Sequence, residues 1–179
     1  MDAFLSNVQR HKVTVASLVP PILLGLAKLP QVDNYDLSSL KLIGSGAAPL
    51  GEPLAAAVAK RLDCVVTQGY RLTETSPVTH TNPSAEPERI RIATIGQLIP
   101  STQARLVDVD SNVDVVLDPA ARSAGASGEL WVRGPQVMAR YLHNADATAA
   151  TIDEHGWLRT GDIATVDDDG DFSIVDRLK

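Results

Sequence analysis

The chain has 179 residues, 44% of them hydrophobic and only 4% aromatic, enough to bury the core of one domain or of one domain with a small companion. The 16 basic and 22 acidic side chains give a net charge of −6 with no basic run. That argues against a nucleic-acid partner, because phosphate neutralisation needs clustered Lys and Arg, and the single cysteine, Cys64, excludes an internal disulfide.

The opening residues, MDAFLSNVQR, lack the layout of a secretory signal. The longest apolar stretch, VTVASLVPPILLGLA, is interrupted by prolines and a glycine and is too short to span a membrane. A soluble, cytoplasmic protein is the expectation. The β-branched run at 13–19 predicts a buried strand. Pro20-Pro21 opens a helix over the apolar residues that follow, since proline is tolerated in a first turn. LKLIG at 40–44 predicts a second strand. A second helix starts at Gly51-Glu52-Pro53, with Leu54, Val58 and Leu62 on one face. CVVTQ at 64–68 predicts a third strand, with Cys64 as a buried, inert thiol. Strand, helix, strand, helix, strand is the pattern of a parallel sheet with crossover helices.

The pattern changes near residue 83, where NPSAEPER is turn-rich and charged like a linker. Short β-like pieces follow: IATIGQLI, QARLVDVD, GELWVRG and DIATVDDDGDFSIVD, with one weak helix signal at 145–152. The expected fold is α/β: residues 1–85 end a parallel-sheet subdomain, and residues 86–179 form a small antiparallel, barrel-like β subdomain.

In open parallel sheets ligands sit beyond the carboxyl ends of the strands. GSGAAPLG begins at the end of the second predicted strand and QGYRLTE at the end of the third, so both loops are expected at one crevice. The run Gly44-Ser45-Gly46-Ala47-Ala48-Pro49 has only small side chains and lets a flat ligand lie on the backbone; taken alone, a plain tight strand-to-helix turn is the preferred reading. It is no dinucleotide fingerprint, because Pro49 stands where the third glycine would be. In QGYRLTE, Tyr70 can stack on a base, Thr73 can donate to a phosphate oxygen and Glu74 can hold Mg²⁺. The alternative is an exposed helix start, where Thr and Glu are common. TVDDDGDFSIVD resembles a calcium loop, but Thr165 and Asp176 occupy its first and last ligand positions, and Asp169-Gly170 predicts a hairpin instead. GWLRTGD reads as a glycine-bounded turn with a packed Trp157. His11, His80, His143 and His155 show no metal-ligand spacing and are expected in loops or at the surface.

Taken in order, GSGAAPLG, QGYRLTETSP, GELWVRGPQVMARYL, TIDEHGWLRTGD and FSIVDRLK resemble the middle-to-late motifs of the adenylate-forming acyl-CoA synthetases, in particular 4-coumarate–CoA ligase-like and fatty-acid–CoA ligase members. The likeness runs from about Val13 to Lys179. It implies an ATP-dependent acid–thiol ligase that forms an acyl-adenylate from a fatty or aryl carboxylic acid and passes the acyl group to coenzyme A. The cofactors implied are ATP or AMP and Mg²⁺, with CoA as co-substrate. By the same likeness Gly46, Ala47, Ala48 and Pro49 wall the adenine slot, Tyr70 stacks opposite, and Gln68 and Gly69 edge the adenylate. Thr73 bonds the phosphate, Glu74 binds the metal, Asp162 takes the ribose hydroxyls, Arg177 reaches ribose or phosphate, and Lys179 opens the interdomain hinge.

Two departures stand out. Arg71 occupies the position where the family usually has Gly after the Tyr. The family's upstream phosphate loop and downstream catalytic domain have no counterpart here, so a truncated product, a split gene or a fragment is expected. The chain alone is then expected to be inactive, with a separate chain carrying the upstream part as a candidate partner. Two alternatives stay open: a noncatalytic nucleotide-binding remnant, and an adenylation domain loading a carrier protein.

Overall fold

A computed structural model describes residues 1–46, 50–83, 87–115 and 126–178. Contacts divide the chain into two units: Met1–Gly69 with Asn82–Ala93, and Tyr70–Thr81 with Thr94–Lys179.

The first unit is built on parallel strands β1 (Val15–Leu18), β2 (Leu42–Ser45) and β3 (Val65–Arg71), the last of which passes into the second unit after Gly69. Val15 pairs with Leu42 and Leu42 with Val65, so β2 lies in the middle. Helix α1 (Asp2–His11) precedes β1, and helices α2 (Pro20–Lys28) and α3 (Glu52–Leu62) lie in the β1–β2 and β2–β3 connections. Proline sits in the first turn of both α2 and α3, where its missing N–H costs no helical bond. Leu5 and Val8 of α1, Leu23 and Leu26 of α2 and Ala55 and Val58 of α3 pack with Ile43 and Val66 into one core, and Leu54, Leu62 and Cys64 are half-buried against it. Burial pushes the Cys64 thiol up to about 11, with Asp63 adding to the shift.

Two sequence expectations are corrected here. The third strand runs on through Gly69, Tyr70 and Arg71, so QGYR is extended backbone and not the start of a loop. The N-terminal segment forms α1, which the reading along the chain omits; Phe4, Leu5 and Val8 at helical spacing are the signal it carried.

The second unit takes the end of β3, then β4 (Val78–Thr81) and β5 (Gln97–Leu98), and an antiparallel sheet in the order β6 (Gln103–Val107), β7 (Ser127–Arg133), β8 (Leu158–Val166), β9 (Phe172–Arg177). Gly96 bridges Phe172, which joins the β5 segment to β9. The one α-helix of this unit among the described residues, α4 (Ala145–Thr151), falls where the weak helix signal lies. Of IATIGQLI only Gln97 and Leu98 pair in a ladder. The expected hairpin joins β8 to β9: Gly170 N donates to Asp167 O (3.0 Å), and Asp167 Oδ1 accepts from Asp169 N (3.0 Å) and Asp171 N (2.9 Å). The Arg105 guanidinium lies over both tryptophans, 4.5 Å from the Trp131 ring and 4.6 Å from the Trp157 ring.

His80 is a further correction. It is 0% exposed, against the expectation of a surface or loop position. Its ring meets Tyr70 edge-on at 5.9 Å between centroids and Phe172 at 4.6 Å. Nδ1 hydrogen-bonds with Thr79 Oγ1 (2.9 Å), while Nε2 has no partner among the described residues. Desolvation drops its pKa to about 3, so the ring is neutral.

Candidate active site

Tyr70, Asp162 and Arg177 come together in the second unit. Asp162 lies on β8, Arg177 pairs with it on β9, and Tyr70 is the penultimate residue of β3. A bulge places Asp162. Trp131 pairs with Arg159 and Glu129 with Ile163, so β8 covers four steps where β7 covers two. The ladder bonds lost there are replaced by side chains: Thr160 Oγ1 donates to Leu130 O (2.7 Å), and Glu129 Oε1 accepts from Gly161 N (3.0 Å). Gly161 sits at φ +73°, a conformation that favours glycine, with nothing within 4 Å of an added Cβ. Backbone shape, not crowding, thus calls for glycine beside the aspartate.

Asp162 is 5% exposed, and both of its oxygens are addressed. Oδ2 accepts from the Tyr70 hydroxyl, and Oδ1 lies 3.4 Å from Arg177 Nε. Burial first, then the bond to Asp162, raises the Tyr70 phenol well above the ordinary tyrosine range, so it remains a donor. The Arg177 side chain is 67% exposed and can leave this contact for a ligand at little cost.

Glu74 stands in a 3₁₀ turn, Thr73–Thr75, directly after β3. Thr75, fully buried, closes that turn: its hydroxyl donates to Pro77 O (2.6 Å) and accepts from Leu72 N (3.3 Å). Thr73 is exposed and Glu74 half-buried. Glu74 Oε1 accepts from the Tyr141 hydroxyl (2.7 Å), and Glu74 O accepts from Met138 N (2.7 Å). Neither Thr75 nor Tyr141 stands out in the sequence reading; the signal available for Tyr141 was its place inside GELWVRGPQVMARYL.

Of the remaining predicted residues, Gly46, Gln68 and Gly69 lie in the first unit. Gly46 N donates to Leu18 O (3.2 Å) at the end of β2. Gln68 is 9% exposed and its amide is fully used: Oε1 accepts from Leu50 N (3.0 Å), and Nε2 donates to Leu50 O (3.1 Å) and Ile92 O (2.7 Å). Gly69 is half-buried at the last position of this unit on β3. Ala47, Ala48, Pro49 and Lys179 lie outside the described residues. Among the described residues no three His, Cys, Asp or Glu side chains gather to hold a metal, and no helix is long and apolar enough to cross a membrane.

Comparison with known proteins gives a consistent set of relatives. Residues 1–142 match the family described as AMP-binding enzyme. A 4-coumarate–CoA ligase of Oryza sativa subsp. japonica is 43% identical over 182 residues, covering 100% of this chain and 31% of that protein. A 4-coumarate–CoA ligase of Petroselinum crispum is also 43% identical, covering 98% of this chain and 32% of that protein. Among solved structures, an anthranilate CoA ligase in complex with anthranoyl-AMP aligns at TM-score 0.85 and 27% identity, over 98% of this chain and 32% of that one. The amide bond synthetase McbA of Marinactinospora thermotolerans aligns at TM-score 0.83 and 32% identity, over 99% of this chain and 34% of that one. The chain spans about a third of the length of the curated relatives it matches.

Proposed function

The chain belongs to the AMP-binding enzyme family of adenylate-forming ligases, and on that footing we propose that it holds the acyl-adenylate in an ATP-dependent ligase joining an aryl or fatty carboxylic acid to the thiol of coenzyme A. The observation that carries this reading is Asp162, a buried carboxylate whose Oδ1 is engaged by the exposed Arg177, a partner that a nucleotide can replace. The curated relatives, named as 4-coumarate–CoA ligases, favour an aryl acid.

In this reading the substrate carboxylate attacks the α-phosphorus of ATP and pyrophosphate leaves. The thiol then attacks the acyl carbon and AMP leaves. Asp162 accepts the ribose hydroxyls, the Tyr70 ring packs on the adenine, and the exposed Thr73 hydroxyl donates to an α-phosphate oxygen. Arg177 turns from Asp162 towards ribose or phosphate. Such donors offset the charge that gathers on phosphate during transfer. Glu74 fits a Mg²⁺ ligand: among the described residues its Oε2 makes no hydrogen bond, and Mg²⁺ takes one or two carboxylates together with phosphate oxygens and water. Bound Mg²⁺ would supply further charge neutralisation at the phosphates.

Calorimetric titration with AMP tests the reading on the wild type, Asp162→Ala and the near-isosteric Asp162→Asn. Losing hydrogen bonds to a charged acceptor, at about 1.5–3 kcal/mol each, should weaken AMP binding about tenfold or more in Asp162→Ala. Equal affinities across the three proteins would overturn it.

A further inference from the structure

The Glu74 carboxylate is not held by its own turn. Its carbonyl accepts from Met138 N and its Oε1 from the Tyr141 hydroxyl, each at 2.7 Å, so both anchors come from one stretch that follows β7. That stretch is itself fixed. Tyr141 N donates to Thr148 Oγ1 (3.0 Å), Thr148 Oγ1 donates to Asn144 O (2.8 Å), and Asn144 Oδ1 caps α4 by accepting from Ala147 N (3.0 Å). The phenol is the donor. A glutamate free to rotate must lose side-chain entropy whenever it engages a ligand. A glutamate with one oxygen tied to a donor offers its other oxygen in a set direction.

We propose that Tyr141 is a positioning residue for metal-assisted adenylation: its hydroxyl fixes Glu74 Oε1 so that Oε2 is the oxygen offered to a divalent cation. This rests on the reading of Glu74 as the metal-holding carboxylate. A purely loop-holding role is already served by the Met138–Glu74 backbone bond, which needs no hydroxyl at position 141. Mg²⁺ is held by one or two carboxylates together with phosphate oxygens and water, so the direction of a single carboxylate oxygen matters to its binding.

The test is Mn²⁺ binding followed by electron paramagnetic resonance in the presence of AMP, on wild type, Glu74→Gln and Tyr141→Phe. Partners that orient a metal ligand typically change affinity 10–100-fold when removed, so Tyr141→Phe should bind Mn²⁺ about tenfold more weakly. Its AMP affinity without metal, measured calorimetrically, should stay at the wild-type value. Thr148→Ala, which frees the backbone of Tyr141 but keeps the hydroxyl, should show a smaller loss in the same direction, and it decides the matter if Tyr141→Phe does not fold. Wild-type Mn²⁺ affinity in Tyr141→Phe beside a loss in Glu74→Gln would sink the positioning role and leave Glu74 as the metal ligand. The same Mn²⁺ affinity in wild type and Glu74→Gln, or none in either, would overturn the reading of Glu74 and the role of Tyr141 with it.

Discussion

His80 should make the second unit acid-sensitive, and replacing it by Leu should remove that sensitivity. The ring is fully buried between Tyr70 and Phe172, and its pKa is lowered to about 3 by desolvation alone. The unfolded chain protonates it near the ordinary value of about 6.5. The unfolded state therefore binds the extra proton between these values, and stability present above about 6.5 is lost as the pH falls towards 3. For one such group the loss between pH 7 and pH 5 works out at about 2 kcal/mol. Urea unfolding followed by tryptophan fluorescence reads it directly, since Trp131 and Trp157 belong to the same unit as His80. Carboxylates that titrate at the low end are shared by the two proteins and cancel in the difference. The wild type should lose about 2 kcal/mol more than His80→Leu over that interval. Equal losses in the two proteins would refute the reasoning, as would a His80 ring proton that titrates near 6.5 while the fold stays intact.

Gln68→Ala should cost about 2–4 kcal/mol, because it leaves the main-chain groups of Leu50 and Ile92 without their partner; denaturant unfolding measures the cost, and the Leu50 amide should exchange faster with solvent. Gly128→Ala should cost about 1–3 kcal/mol. The added Cβ would stand 2.7 Å from Val107 O and 2.9 Å from Val107 N, backbone atoms that cannot swing aside, and a lower melting midpoint checks it.

The elements of the first unit were legible because their signals are local. Prolines mark the starts of α2 and α3, and the β-branched runs mark β1 and β3. The order of motifs also pointed to Tyr70, Asp162 and Arg177, which the fold brings together. What escaped depends on distant partners. His80 looked like any loop histidine, because the rings that bury it lie 10 and 92 residues away in sequence, at Tyr70 and Phe172. The closing of the Gln68 amide on Leu50 and Ile92 likewise joins residues 18 and 24 positions apart. Tyr141 is separated from Glu74 by 67 positions, and no local pattern marks such a pair.

The bulge on β8 also bears on how the site is inherited. Its excess over β7 is two residues, an even number, so removing Thr160 and Gly161 would leave the in-and-out alternation of the strand unbroken. The sheet would lose nothing it needs to fold, and it would gain a regular ladder in place of side-chain substitutes. Yet the aspartate would lose its station opposite Tyr70. Here the placing of the aspartate beside Tyr70 is written as chain length rather than as residue identity. A lineage can discard it by one short in-frame deletion without a single unfavourable substitution, and a descendant of that kind would keep Tyr70, Asp162 and Arg177 in sequence while no longer holding them together.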